Sequence, residues 1–209
     1  MILDWKEKIS LVHYTALYEK LDPVEISVRC RIPFDAENKL FYLRFMGSDY
    51  TISYPQFEIK NDNTSIIEKL LFLRYLCNGK WIPYNGTSLS YREIPWGEVY
   101  YRNFEGRCIM RFARMFGSKP DLFTQVMECK KELKAECISK NHPAYRFEFI
   151  SNLYMSFLIW PGDDEFPAAA QIIFDDNVSA AFSAEDIAAL GEAVIIRIKT
   201  FSDLLNRDS

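Results

Sequence analysis

Two hydrophobic periods alternate along the chain. From Ile2 to Leu21 apolar residues recur at helical spacing, at Ile2, Trp5, Ile9, Val12 and Ala16, with Lys6, Glu7, Lys8 and Glu19 elsewhere on the wheel. This predicts a first helix with that stripe in the core. Asp22-Pro23 ends it and opens a short second helix to Cys30. The period then drops to two. Phe41, Leu43 and Phe45 fall on one face and Tyr42 and Arg44 on the other, so Lys39 to Phe45 reads as a strand. Gly47-Ser48 suits a tight turn, and Asp49 to Tyr54 returns as a second strand. Ser65-Ile66-Ile67-Glu68 has the form of a capping box. The helix it opens is apolar nearly all round as far as Cys77, which predicts a central position, and Asn78-Gly79 stops it.

Residues 79–97 read as irregular, with a short strand at Tyr91 to Ile94. Helical spacing resumes from Glu98 to about Phe116 through Phe104, Cys108, Phe112 and Met115. Ser118, with Pro120 as first helical residue, opens a further helix expected to run to the neighbourhood of Ile138. His142-Pro143 breaks the pattern. Tyr145, Phe147 and Phe149 then alternate with Arg146 and Glu148, and after Ser151-Asn152 a strand runs from Leu153 to Trp160. Another follows from Ala169 to Phe174. Ser183 caps a last helix with the core stripe Ile187, Leu190, Val194, Ile198, Phe201 and Leu205. The elements come in blocks and not as βαβ units, and two hairpins stand out. This order predicts an α+β fold, a mixed or antiparallel sheet built from hairpins with helices packed on it, in a single domain over residues 1–209.

Composition narrows the function classes. Aromatic residues make up 15% of the 209 positions, which points to a core or groove built on rings. The formal net charge is −4, so no basic footprint for nucleic acid is present. No secretory leader or membrane span is read, and a cytoplasmic location without membrane attachment is expected. The five cysteines are widely spaced with no Cys-x-x-Cys pair, so neither a zinc ribbon nor a cysteine-ligated cluster is read. They are expected to be small reduced core residues, and no cofactor is predicted.

The most informative stretch is Trp160-Pro161-Gly162-Asp163-Asp164-Glu165-Phe166-Pro167. Core packing does not require three adjacent acids between two prolines. Hard oxygen ligands are present, with Asp175-Asp176 further on, but a strand over residues 168–174 would hold the two clusters about 23 Å apart at about 3.3 Å per residue. No shared metal ion is therefore predicted. The acids can be solvated in a hairpin connection, can meet a ligand or partner, or can act as a catalytic pair with split pKa values. Arg107, Arg111 and Arg114 fall within about 60° of arc on one helix, either as an anion-binding stripe or as a face paired with neighbouring acids, the acidic loop among the options. His13 is expected in packing or an interface, and His142 before a proline in an exposed break. Trp96, in Ile94-Pro95-Trp96-Gly97 with Tyr100 beyond, can lid a pocket or anchor a loop.

Several segments, taken in order, resemble domain-of-unknown-function family three-seven-eight-six of bacteria and archaea. They are Phe45, Gly47, Tyr50 and Ile52; Leu70-Leu71 with Tyr75-Leu76; Tyr91-Arg92-Glu93-Ile94-Pro95-Trp96-Gly97 with Tyr100 and Phe104; and Trp160 to Pro167 with Ile173-Phe174-Asp175. The resemblance supplies no activity to carry over. Some members are fused to a cysteine-rich iron–sulfur module; this sequence departs from them in having no clustered cysteines, so an electron-transfer role is not carried over. The resulting expectation is a non-enzymatic accessory module for a small-molecule or protein partner, using Trp160, Asp163, Asp164, Glu165 and Phe166, with Trp96 and Tyr100. Its alternatives are a carboxylate-dependent hydrolase or lyase with the acidic loop in its cleft, and a protein that self-associates through its hairpins.

Overall fold

The structure is a computed structural model and describes residues 5–60 and 64–208. Helices α1 (Trp5–Tyr18) and α2 (Pro23–Cys30) lead into strands β1 (Phe34–Asp35), β2 (Leu40–Phe45) and β3 (Ser48–Ser53). Helix α3 (Ile66–Asn78) follows, then β4 (Ser88–Ser90) and a 3-10 turn at Tyr91–Glu93. Helices α4 (Gly97–Phe104) and α5 (Met110–Phe116) are joined by a π-helical turn at Glu105–Ile109. Beyond α6 (Pro120–Cys129) and a 3-10 turn at Lys131–Leu133 come β5 (Glu136–Cys137), β6 (Ala144–Ile150), β7 (Leu153–Trp160) and β8 (Ala169–Asp175). The short α7 (Val178–Ala181) and the long α8 (Ala184–Asp208) complete the chain.

All strand pairs are antiparallel, in the order β1-β2-β6-β7-β8-β4, with β3 also on β2 and β5 also on β6. The α+β expectation holds, and the sheet is antiparallel throughout. The β2–β3 hairpin turns on Met46-Gly47, both at positive φ (47° and 74°), the geometry of a two-residue loop that matches strand twist. Only Gly suits the second place, because a Cβ there would lie 2.8 Å from Cβ of Glu132.

Alternation gives the sheet two unlike faces. One carries Phe41, Phe45, Phe147, Met155, Phe157 and Phe174, all buried. The helices cover it: Phe72 of α3 meets Phe45 at 5.4 Å, Phe112 of α5 meets Phe157 at 4.8 Å, and Phe104 of α4 meets Phe174 at 6.0 Å between ring centroids. Helix α3 is central, as its all-round apolar sequence predicts, with the Ser65–Glu68 capping box formed. The other face carries Tyr42 and Arg44 on β2 and, in register across β6 and β7, Glu148 opposite Tyr154 and Arg146 opposite Ser156. The segments around Tyr84 and Lys134 cross it, Tyr84 with its ring 5.3 Å from the Arg146 guanidinium.

The two halves of the sheet meet at a narrow seam. Strands β2 and β6 pair through Phe45 and Ile150 alone, supported by the Met46 N–H donating to the Phe149 carbonyl at 2.9 Å. Beyond that point the strands separate.

Four local expectations are corrected. Helix α1 does not bury the stripe Ile9, Val12 and Ala16: Ile9 and Val12 are 53% and 71% exposed. It carries a second stripe, Leu11, Tyr14, Leu17 and Tyr18, which packs on the core, where the Tyr18 hydroxyl also donates to the Ser53 carbonyl. Ile2 lies outside the described residues. Tyr91–Glu93 is a 3-10 turn and not a strand, since Ser90 caps it and Glu93 accepts the Ser90 N–H at 2.7 Å. Helix α6 stops at Cys129 and not near Ile138, because Lys130 leaves the helical conformation (φ −91°, ψ 75°), Lys134 ends the following 3-10 turn in a left-handed conformation, and Glu136-Cys137 joins the sheet edge beside Arg146 and Tyr145. Cys30, Cys77 and Cys108 are buried as expected, but Cys129 and Cys137 are exposed. Among the described residues no helix is long and apolar enough to cross a membrane.

Candidate functional site

The acidic stretch forms the tip of the β7–β8 hairpin, and every residue from Trp160 to Pro167 is exposed. Asp163 holds the tip together. Its Oδ1 accepts the N–H groups of Glu165 (2.9 Å) and Phe166 (2.7 Å), and its own N–H donates to the Phe166 carbonyl at 2.9 Å. Those amide donors hold its carboxyl below the ordinary aspartate value. Asp164, Glu165 and Phe166 stand outward from this frame, Phe166 at 67% exposure. Trp160 is anchored at the base, its ring 4.7 Å from that of His142, which is half-buried and not exposed. The strand-length expectation also holds. Asp175 sits at the far end of β8, 2% exposed and bound by Arg146 at 2.5 and 3.1 Å.

Trp96 occupies a turn closed by the Gly97 N–H donating to the Ile94 carbonyl at 2.7 Å. Its φ is +67°, the left-handed place usually given to Gly, while Gly97 behind it has room for no Cβ, which would fall 1.8 Å from the Tyr91 carbonyl oxygen. Trp96 is 77% exposed, with Val99 (73%) and Tyr100 (42%) one turn further on α4. Among the described residues, no ring contact or hydrogen bond joins Trp96 or Tyr100 to the hairpin tip.

The arginine stripe is structural. Arg107 and Arg111 both bind Glu192 of α8, at 2.5 and 2.8 Å, and Arg114 donates to the Met110 carbonyl of its own helix. The acid it meets is Glu192 and not the acidic loop. His13 is exposed beside Ile9 and Val12, not packed in the core. The buried thiols are unsuited to nucleophilic work: burial pushes Cys108 and Cys77 up to about 12 and Cys30 up to about 11. Among the described residues no group of three His, Cys, Asp or Glu side chains is placed to hold a metal ion.

A concavity lies on the polar face of the sheet, over the seam between β2 and β6. It encloses about 450 Å³ and is lined by Arg31, Tyr42, Arg44, Asp49, Lys134 and Glu148, with Pro33, Leu43, Ser151 and Asn152 completing it. Glu148 is its buried floor. Its Oε1 accepts the Asn152 N–H at 2.8 Å, Lys134 Nζ is 2.5 Å from its Oε2, and Arg44 Nε is 3.7 Å from the same oxygen. Of the six non-glycine residues at positive φ among the described residues, three line this cleft: Arg31 (55°), Lys134 (50°) and Asn152 (63°). Such conformations cost about 1–3 kcal/mol each and cluster where side chains must be held in place. Arg31 ends α2 as its left-handed cap, and its guanidinium lies 4.0 Å over the Trp81 ring, whose Nε1 in turn donates to the Asn152 carbonyl at 3.4 Å.

Sequence reasoning missed this cleft. Arg44 and Glu148 are visible as polar positions on two apolar strands, but nothing in the spacing says that the strands adjoin. Lys134 lies in the segment read as helix, and Arg31 in a helix end.

No curated protein and no solved structure matches the chain. A family model does, described as Domain of unknown function (DUF3786), over residues 22–197. That span holds the cleft, the Trp96 turn and the acidic hairpin alike, and the chain belongs to this family.

Proposed function

We propose that the protein is a cytoplasmic, non-enzymatic accessory module that binds a small molecule in the cleft over the β2–β6 seam. The cleft carries this reading. Its volume of about 450 Å³ falls within the range of roughly 300–1,000 Å³ typical of ligand sites. Its charged groups converge from four separate segments: Arg31, Arg44, Lys134 and Glu148. Glu148 is engaged by Lys134 and the Asn152 N–H, which favours a binding role over proton transfer. The alternative, a carboxylate-dependent enzyme with the acidic loop in a cleft, draws no support from acids that are exposed at a hairpin tip.

A second reading keeps the hairpin tip as a surface for a protein partner. One observation favours it: Asp163 fixes the loop while Phe166, Asp164 and Glu165 stand exposed around it. Thermal unfolding in the presence of a chemically mixed set of anionic, neutral and cationic metabolites tests the first reading. Saturating ligand at 100 times its Kd should raise stability by about 2.7 kcal/mol. A set in which nothing stabilises the protein would count against it. Asp164→Ala with Glu165→Ala should leave that stabilisation intact and abolish capture of a partner only if the second reading also holds.

A further inference from the structure

We infer that the cleft receives the oxyanion of its ligand, a carboxylate or a phosphate group, between Arg31 and the Arg44–Lys134 pair. This rests on the reading of the cleft as a ligand site and adds the chemical class of what it takes. Donors outnumber acceptors around the cleft. Arg31 has a full guanidinium fork and, among the described residues, no carboxylate paired with it; the Trp81 ring supports it from one side only. Arg44 gives Nη2 to the Glu132 carbonyl at 2.6 Å, but its buried Nε has no hydrogen-bond acceptor among the described residues. Its Nη1 is 3.9 Å from Asp49, whose side chain is 84% exposed, a pair that solvent screens to little strength. Lys134 has one carboxylate partner, Glu148, for an ammonium with three N–H groups.

Acceptors do not match this supply. Glu148 accepts the Asn152 N–H with one oxygen, and its other oxygen, which has no hydrogen-bond donor among the described residues, is ion-paired with both Lys134 and Arg44. Asp49 is largely in solvent. Three cations thus face one neutralised carboxylate and one screened one, and an incoming oxyanion completes the set. Guanidinium groups bind carboxylate and phosphate with two parallel N–H donors, so geometry as well as charge favours these anions over halides. Tyr42 and Pro33 provide apolar surface for the remainder of a small ligand.

Isothermal titration of wild-type protein with inorganic phosphate, and separately with succinate, tests this at constant ionic strength. Saturable binding of at least one is expected, and the stronger of the two identifies the anion. Arg31→Ala should weaken it by about tenfold or more, a loss of the size expected for a charge-assisted pair. Arg31→Lys should recover part of it. Arg107→Ala, which removes an exposed cation away from the cleft, should leave it unchanged. Binding that persists in Arg31→Ala overturns the inference. Absence of binding by both anions also overturns it. In that event, stabilisation by a neutral or cationic compound lost on Arg31→Ala would show that the cleft reading survives, and no stabilisation by anything would sink both.

Discussion

The backbone N–H of Arg44 donates to Ser151 Oγ at 3.0 Å, and the Ser151 N–H donates to the Arg44 carbonyl at 2.9 Å. This reciprocal clasp ties β2 to the β6–β7 hairpin just where their ladder ends, so it fixes the floor of the cleft. Ser151 is 8% exposed, and water has little access to replace its hydroxyl. Ser151→Ala should leave the Arg44 N–H without its partner and lower stability by about 1–3 kcal/mol. Urea unfolding midpoints measure this, and an unchanged midpoint would show that the seam does not need the clasp.

A second load falls on Glu68. It closes the α3 capping box by accepting the Ser65 N–H at 2.7 Å, and its other oxygen binds Arg197 of α8 at 2.6 Å while only 4% of its side chain is exposed. Glu68→Ala would remove the carboxylate from the Arg197 guanidinium, which also donates to the Tyr50 hydroxyl at 2.8 Å, and is expected to cost about 3–5 kcal/mol. Glu68→Gln, which keeps the shape and one of the two acceptor oxygens, should cost less. Equal losses in both variants would mean that charge alone matters.

Acid should loosen the hairpin tip. The Asp163 carboxyl is held below its ordinary 3.8 by the amides of Phe166 and Glu165. A depressed carboxyl adds stability above the unfolded-state pKa and loses it as pH falls through the folded-state value. The Glu165 and Phe166 amide resonances should therefore titrate together below pH 3.8, and Asp163→Asn should abolish that titration. Independent titration of the two amides would break the link.

Alkali should act on the core. Burial raises Cys108 and Cys77 to about 12 and Cys30 to about 11 from an ordinary 9.0, and Tyr91 to about 12 from 10.0. The unfolded chain ionises first, so this stability is whole below pH 9 and is lost progressively from there towards 12. Unfolding midpoints across that range check it, and Cys108→Ala should flatten part of the fall. In the native protein Cys129 and Cys137 should alkylate fast and the other three only through unfolding.

Much of this architecture is readable from sequence because local periodicity controls it. The hairpins at 40–53 and 144–160, the capped α3 and the α8 stripe follow from alternation and capping residues. Periodicity fails where two answers fit. Helix α1 carries two apolar stripes, and only packing against α3 selects Leu11 and Tyr14 over Ile9 and Val12. The candidate site divides in the same way. The hairpin tip is legible because its residues are contiguous. The cleft is not, since Arg31, Arg44, Lys134 and Glu148 come together only when β2 meets β6 and the chain after α6 turns back onto the sheet.

The most direct test of the account is an amide ¹⁵N–¹H titration of the intact protein with the metabolite that stabilises it most. The predicted result is saturable shifts at Ser151, Asn152, Lys134 and the Arg44 amide, with Asp164 and Glu165 unmoved. Shifts confined to the hairpin tip, or to the Trp96 turn, would contradict it.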